Sequence, residues 1–353
     1  AMIEWSDTDL MVRDAVRQFV DKEIRPHLDE LESGAMSPYP IARKLFSQFG
    51  LDAMAAESVK KMLDRERAKL DGAPAAERAD EKPDDAGGFG GGAQGSMVAV
   101  LVSEIARVSI GLLSTASVSL GLGAATIMSR GTLAQKERWL PKFVAGEYIG
   151  SIAMSEPAAG SDLAGIKTTA RDEGDHWVVN GQKTFISNGL LSKLVLTAVK
   201  TDPSARHKGI SLLMIEDGME GFTRGRKLDK IGQYSADTAE LFFEDVKVPK
   251  ANLVGELNRG FYHLVSNLPS ERVGVACYAL PAARRALDLT KAYASERTAF
   301  GQPIGKFQVN RHFLAEMQTK LDAAQTYLDQ CVLSVNDGTL SDQDAAGLKW
   351  WTS

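Results

Sequence analysis

A glutamate near the start of a predicted helix is the first residue that could do chemistry. Residues 266–276 read S-N-L-P-S-E-R-V-G-V-A, with Glu271 beside Arg272 and with Pro269 well placed for a first helical turn. In that position a carboxylate most often complements the helix dipole. Held in a dry pocket, the same carboxylate gains basicity and can act as a general base. The dipole role is the more common one, and the residues alone leave both open.

A second stretch could bind a ligand. Residues 153–162 read A-M-S-E-P-A-A-G-S-D, and a strand is predicted to end near Met154. Ser155, Gly160 and Ser161 then lie in a loop whose hydroxyl and N–H groups can hydrogen-bond a pyrophosphate or a flavin edge. A purely structural turn is the more common outcome for such spacing. Glu156 is interpreted as structural because it adjoins a proline in the turn.

A glycine-rich stretch is a weaker candidate. Residues 71–95 contain seven glycines, two prolines and many charges. A phosphate-binding loop needs a preceding strand and a lysine-serine ending, and both are missing. The stretch cannot bury enough apolar surface to order itself, so we predict a mobile surface insertion at about residues 57–95, of which 57–70 are helix-compatible.

Composition excludes several classes of function. The 353 residues include 41 basic and 46 acidic side chains, a balance that argues against nucleic-acid binding. Cys277 and Cys331 form no C-x-x-C pair, which argues against a zinc site or a disulfide framework and favours two buried thiols. We expect no metal.

The N-terminal residues A-M-I-E-W-S-D-T-D-L do not resemble a signal peptide, and no run approaches the roughly 20 apolar residues of a membrane span. We therefore expect a soluble, cytoplasmic protein without a membrane span.

Three blocks must position these residues, and together they predict an α+β fold. Residues 1–148 have helical periodicity, with a first helix capped by Asp7 or Thr8. Residues 149–254 alternate with period two, and Asn180-Gly181 predicts a hairpin turn within an antiparallel β domain. Residues 255–353 return to helical periodicity and predict a C-terminal bundle.

The loop at 153–162 resembles the first signature of the acyl-CoA dehydrogenases. Three further segments follow in the order and at about the spacing of that family, and the likeness covers nearly the whole chain apart from the insertion. They read N-G-Q-K-T-F-I-S-N-G (180–189), F-E-D-V-K-V-P (243–249) and S-E-R-T-A-F-G-Q-P-I-G-K-F-Q (295–308).

The resemblance implies FAD in a cleft between the domains of a homotetramer, with a dimer as the other possible assembly. Ser155 and Ser187 would hydrogen-bond the flavin, beside Met154, Gly160, Phe185 and Ile186. Ser161 would lie at the pyrophosphate or at the pantetheine of the substrate. Arg297, Phe300 and Gln308 would reach the FAD of a neighbouring subunit. Without the resemblance, a surface salt bridge with Glu296 would be the simpler role for Arg297.

Two departures from the family pattern stand out. Ala299 replaces a hydroxyl residue that many members carry two positions after the arginine, so one FAD contact is expected to be lost. Family members also continue past the position of Ser353 with an FAD-contacting loop, so we expect a truncated polypeptide.

The resemblance also implies which residue is the base. The isovaleryl and long-chain branches carry their catalytic glutamate immediately before an arginine at this helix position, and L-P-S-E-R looks most like the long-chain branch. Glu271 would remove the α proton of an acyl-CoA thioester, and Arg272 would bind the CoA arm. Chain-length preference is not readable, although Leu112 or Leu120 could shorten the pocket.

The function implied is α,β-dehydrogenation of an acyl-CoA in fatty acid β-oxidation, with hydride passing to FAD and electrons to electron-transfer flavoprotein. Two alternatives stay open. One is an acyl-CoA oxidase of the same superfamily, and the other is a non-catalytic subunit of a heteromeric dehydrogenase.

Overall fold

The structure is a computed structural model that describes residues 6–70 and 93–353. Packing divides the described residues into two compact units. One contains residues 6–28, 93–113 and 267–353, and the other contains residues 29–70 and 114–266. This grouping follows packing rather than chain order, so the domain boundaries expected at residues 148 and 254 stay predictions.

Twelve α-helices are assigned in the described residues. They are α1 (Asp7–Phe19), α2 (Leu28–Glu32), α3 (Tyr39–Gln48), α4 (Leu51–Leu70), α5 (Ala93–Ala106), α6 (Ile110–Ala116), α7 (Ala125–Arg130), α8 (Leu133–Val144), α9 (Gly260–Val265), α10 (Leu268–Glu296), α11 (Gln308–Asn336) and α12 (Asp342–Thr352). Two π-helical segments, Val20–Ile24 and Ser117–Ala124, extend α1 and join α6 to α7.

The first helix is capped one residue earlier than predicted. Ser6 accepts a hydrogen bond from the backbone N–H of Asp9, and the Asp9 carboxylate accepts one from the Ser6 N–H in return. This reciprocal capping box satisfies the backbone N–H groups of Ser6 and Asp9. Asp7 and Thr8 cannot make it, because both residues already lie in the first turn.

Ten strands are assigned in the same residues. They are β1 (Gly150–Ala153), β2 (Thr169–Asp172), β3 (His176–Ser187), β4 (Leu194–Lys200), β5 (Ile210–Glu216), β6 (Phe222–Lys227), β7 (Thr238–Pro249), β8 (Leu253–Val254), β9 (Thr298–Ala299) and β10 (Gln302–Pro303). The first eight form one sheet in the order β6-β7-β3-β2-β4-β5-β8, with β1 beside β4.

That sheet is mixed, which corrects the prediction of an antiparallel domain. Strands β1 and β2 each pair with β4 in parallel, whereas the other pairs are antiparallel. Between β1 and β4 the chain passes through a loop and the β2–β3 hairpin, which together make the crossover that a parallel pair requires.

The predicted turn at Asn180-Gly181 is wrong. Both residues lie inside β3, where the register with β7 shifts between Val179 and Gly181 and forms a bulge. The turn between β2 and β3 is instead made at Glu173–Asp175, with Gly174 at a φ of +90°. Asn-Gly is typical of tight turns, but a glycine inside a strand also marks a bulge.

Strands β4 and β5 are buried on both faces. Leu194 and Leu196 belong to a core cluster with Trp139 of α8, whereas Val195 belongs to a second cluster with Phe243 of β7. Successive residues of a strand point to opposite faces, so a sheet covered on both sides needs continuous apolar runs such as L-V-L-T-A-V.

Helix α4 corrects the start of the predicted insertion. Residues 57–70 are helical, Val59 and Leu63 are buried, and Arg67 Nε lies 2.6 Å from a Glu137 carboxylate oxygen. Two apolar residues four positions apart give this charged helix a face that packs on α8. Residues 93–95 also belong to a helix, and residues 71–92 lie outside the described part of the chain.

One stretch of the described chain, Ile110–Arg130, is long and apolar enough to cross a membrane by length and composition. The sequence pattern predicted no membrane span, because Gly, Ser and Thr interrupt the apolar residues of this stretch. Of its most apolar window, 56% is buried, and Ala124 and Ile127 belong to the core cluster of their unit. The part from Ser114 to Arg130 lies in one unit and contributes to its core.

In the other unit, α10 packs against α5, α11 and α12. Cys277 of α10 and Cys331 of α11 are free and buried, as predicted. Arg17 of α1 holds Glu104 of α5 through two hydrogen bonds of 2.8 and 2.9 Å.

Candidate functional site

Two sequence stretches predicted to hold the flavin ring meet in the structure. Ser155 follows β1, and the Thr184 N–H donates to the Ser155 carbonyl at 2.9 Å. The Ser151 hydroxyl donates to the Ser187 carbonyl at 2.7 Å. The segment at 154–155 and the segment at 185–187 are therefore neighbours, although about thirty residues separate them in the chain.

A buried ion pair ties the same two stretches together. The Lys183 ammonium donates to the Glu156 carboxylate at 2.9 Å and to the Met154 carbonyl at 3.0 Å. The carboxylate also accepts the backbone N–H groups of Lys167 and Thr168, at 2.6 and 3.0 Å. Glu156 is thus a structural residue, as predicted.

Burial shapes the protonation of this pair. It lowers the pKa of Lys183 to about 8, although Glu156 acts in the opposite direction. It also acts to raise the pKa of Glu156, but Lys183 and the hydrogen bonds from residues 167 and 168 outweigh it, so that pKa lies below its ordinary value. Both groups are charged at neutral pH.

The residues around this pair fit a flavin nucleotide. In the described part of the chain, the hydroxyls of Ser155, Ser161 and Ser187 have no hydrogen-bond partner, so they can bond a ligand. A Cβ at Gly160 would meet nothing within 4 Å, which leaves its backbone open to close approach.

Phe185 and Ile186 have opposite environments. Phe185 is 70% exposed and has a φ of +59°, a conformation that is strained for an aromatic residue, whereas Ile186 is buried. Strain of this kind persists where the surroundings impose it, and it is common at ligand sites.

Glu271 lies in the first turn of α10, in the other unit. Its carboxylate has no ion pair or hydrogen bond among the described residues and is half-buried. Burial raises the pKa of Glu271, and the adjacent Arg272 offsets part of that rise. The position suits the helix dipole, but a half-buried carboxylate without a partner among the described residues also meets the requirement for a base.

The three residues predicted to reach a neighbouring subunit occupy one hairpin and the helix after it. Arg297 precedes β9, Phe300 occupies the turn to β10, and Gln308 begins α11. All three are exposed, and Phe300 is 95% exposed with a φ of +53°. Arg297 forms no ion pair with Glu296 or with any other described residue, so the simpler role is not observed.

Sequence reasoning missed four buried polar residues that support these segments. They are Lys183, Tyr39, Asn188 and Asp237. For Lys183 no local signal was available, because its sequence neighbours Gln182 and Thr184 are polar. The other three lie in segments whose proximity only the fold reveals. Among the described residues, no group of three or more His, Cys, Asp or Glu side chains could hold a metal ion.

Comparison with known protein families finds three matches along the chain. Residues 151–246 match the middle domain of acyl-CoA dehydrogenases, residues 258–353 the C-terminal domain, and residues 81–147 the N-terminal domain. Helices α1 to α4 precede the N-terminal match.

Among curated proteins, the long-chain specific acyl-CoA dehydrogenase of Rattus norvegicus is 43% identical over 229 residues, which cover 64% of this chain and 53% of the rat protein. Isovaleryl-CoA dehydrogenase of Solanum tuberosum is 32% identical over 351 residues, which cover 98% of this chain and 77% of the plant protein. An acyl-CoA dehydrogenase structure from Geobacillus kaustophilus superposes with a TM-score of 0.82 at 37% identity, covering 100% of this chain and 85% of that one.

The chain therefore belongs to the acyl-CoA dehydrogenase family, as its motifs predict, and it has the family fold of an N-terminal helical, a middle β and a C-terminal helical domain. It spans about half the length of the long-chain enzymes that it matches.

Proposed function

We propose that this chain binds FAD and an acyl-CoA and removes the α proton of the thioester with Glu271. The observation that carries the proposal is the Glu271 carboxylate, which is half-buried, without a partner among the described residues, and has a raised pKa. A carboxylate held in this state is a stronger base than one in water, because removal of solvent disfavours its charge. Long-chain and isovaleryl-CoA dehydrogenases among the relatives support an acyl-CoA as substrate.

The residues of the middle sheet have a separate task in this proposal. Ser155 and Ser187 hydrogen-bond the flavin, while Met154, Gly160, Phe185 and Ile186 pack beside it. Ser161 bonds the pyrophosphate or the pantetheine arm, and Arg272 binds the CoA arm as a fixed cation. FAD, when bound, supplies the acceptor for the hydride that leaves the β carbon.

The wider setting is proposed on the same basis. Electrons pass to an electron-transfer flavoprotein in fatty acid β-oxidation, in the cytoplasm. The chain assembles as a homotetramer or dimer in which Arg297, Phe300 and Gln308 contact the FAD of a neighbouring subunit. Their exposure in the single chain supports an external partner for them.

The test is anaerobic mixing of the FAD-loaded protein with acyl-CoAs of graded chain length, followed by flavin absorbance. Wild type is expected to bleach. Glu271→Gln is expected to keep FAD and to bleach about 10²–10⁴-fold more slowly, the usual contribution of a general base. Glu316→Gln is the matched control, because Glu316 is exposed and, among the described residues, pairs with Lys320 alone, at 2.6 Å.

Other outcomes point elsewhere. Failure of wild type to bleach refutes the dehydrogenase. Rapid reoxidation of bleached flavin by air favours the oxidase. A colourless protein that gains activity only when co-expressed with a relative favours the non-catalytic subunit. Unchanged bleaching in Glu271→Gln refutes the base assignment.

A further inference from the structure

A buried tyrosine from α3 contacts the residue that follows Ser187. The Tyr39 hydroxyl lies 3.0 Å from the Asn188 side-chain oxygen and 2.9 Å from an Asp237 carboxylate oxygen. A hydroxyl has one proton, so the two acceptors share it. Burial, followed by the charge of Asp237, raises the pKa of Tyr39, and the hydroxyl therefore stays a donor across the physiological range.

Asn188 is fully buried, and each of its polar groups has a partner. Its side-chain amide donates to the Thr115 and Gly150 carbonyls at 3.0 and 3.1 Å, and its backbone N–H donates to the Asp237 carbonyl at 2.9 Å. Its φ is +60°, a left-handed conformation that asparagine tolerates better than most residues. These bonds hold the backbone in that conformation immediately after Ser187.

Asp237 completes the network from the start of β7. Its second carboxylate oxygen accepts the Leu190 N–H at 2.7 Å. Two loop residues on either side of Gly189 are thereby bonded to one aspartate. The network joins α3, the start of β1, the end of β3 and the start of β7, all within one compact unit.

We propose that Tyr39, Asn188 and Asp237 are positioning residues that hold Ser187 and Phe185 in place for the flavin. This inference rests on the proposed function, since it assumes FAD at these residues. Phe185 and Asn188 both have positive φ within a four-residue stretch, and such a backbone relaxes unless its surroundings hold it.

The test compares Tyr39→Phe with Tyr148→Phe in the whole chain. Tyr39→Phe removes one buried hydroxyl and keeps the ring. Tyr148 is the control because, within the described ranges, its hydroxyl has one hydrogen bond, which it accepts from the exposed Lys142 ammonium at 3.0 Å. The apo proteins are titrated with FAD, flavin fluorescence and the visible absorption spectrum are recorded, and amide hydrogen exchange is measured for residues 185–189.

Tyr39→Phe is expected to weaken FAD binding about tenfold, the effect of one lost buried hydrogen bond to a charged group. It should also shift the flavin spectrum and speed exchange at residues 185–189, while Tyr148→Phe changes none of these. Unchanged FAD affinity and unchanged exchange in Tyr39→Phe overturn the inference. If wild type itself binds no FAD, the proposed function is refuted instead.

A second variant covers the case in which Tyr39→Phe fails to fold. Asn188→Gly removes the side chain, and glycine accepts the positive φ without strain. It is expected to fold, to bind FAD more weakly and to exchange faster at residues 185–189. Wild-type affinity and exchange in this variant also overturn the inference.

Discussion

Lys183 and Glu156 form an ion pair of 2.9 Å in which both side chains are almost completely removed from solvent. The pair lies between the loop that carries Ser155 and the strand that leads to Phe185 and Ser187. Because the lysine also bonds the Met154 carbonyl, it fixes the backbone as well as the charge. Buried pairs of this kind add less to stability than their Coulomb energy suggests, but the loss of one partner is costly.

Lys183→Met is therefore expected to lower the free energy of unfolding by about 3 kcal/mol or more, because it leaves the buried Glu156 charge without its cation. Urea unfolding measures the change. Lys193→Met is the matched control: Lys193 pairs with Asp217 at 2.6 Å, but its side chain is 53% exposed. An exposed pair is worth less than about 1 kcal/mol. Equal losses in the two variants would contradict the importance of burial.

Stability is expected to depend on pH through Glu271. In the folded chain the pKa of Glu271 is raised above the ordinary 4.5. At a pH between 4.5 and the pKa of the folded chain, the unfolded state has therefore lost the Glu271 proton, whereas the folded state keeps it. The contribution of Glu271 to stability therefore falls as pH rises through that window. Glu271→Gln lacks this titration.

Unfolding of wild type and Glu271→Gln by urea at several pH values between about 4 and 8 tests the sign. As pH rises, the free energy of unfolding of wild type should fall relative to that of Glu271→Gln. Between acidic and neutral pH, the variant should therefore lose less stability than wild type. Parallel pH profiles would show that Glu271 is not held in a dry pocket.

Gly181 is expected to tolerate no side chain. Its φ is +146°, and a Cβ there would lie 2.5 Å from the Thr168 hydroxyl oxygen and 2.7 Å from the Thr168 Cα. Gly181→Ala should lower the melting temperature by the equivalent of about 2–4 kcal/mol, because backbone must move as well as side chain. Gly174→Ala is the control. Its φ is +90° with open space around the Cβ, so it should cost only about 1–2 kcal/mol. A larger loss at Gly174 would contradict the bulge.

Phe300 is expected to serve an external partner rather than its own chain. It occupies the first central position of a turn with positive φ at both central residues, where asparagine is favoured. Among the aromatic rings of the described residues it pairs with Phe307, with centroids 6.1 Å apart. Phe300→Asn should leave the chain's melting temperature unchanged or higher while FAD is lost more readily on gel filtration. Phe300→Tyr, which keeps a ring, should retain FAD. Retention of FAD by Phe300→Asn would refute the proposed neighbour contact.

Much of the fold could be predicted from local patterns. The change from helical period to period two and back identified the β block, and the motif around Ser155 identified the family. A local pattern does not predict the structure where it is typical of two different structures. Asn180-Gly181 suits a turn or a bulge, and the partners that choose between them, Thr168 and β7, are remote in sequence. Residues 57–70 are a second example. Their charge predicted a mobile segment, but in the structure Val59 and Leu63 are buried in a core cluster with residues of α8.

The candidate site also has features that the sequence predicted and features that only the tertiary structure shows. The sequence alone predicted which residues face a ligand: the serines at 155, 161 and 187, the base candidate Glu271 and the three exposed residues Arg297, Phe300 and Gln308. Only the tertiary structure decided what holds Ser155 and Ser187 in place. Lys183 reaches Glu156 across 27 positions, and Tyr39 reaches Asn188 across 149. A buried polar group must find a partner, but its own sequence neighbourhood does not say which one, because the partner is chosen by how strands and helices pack.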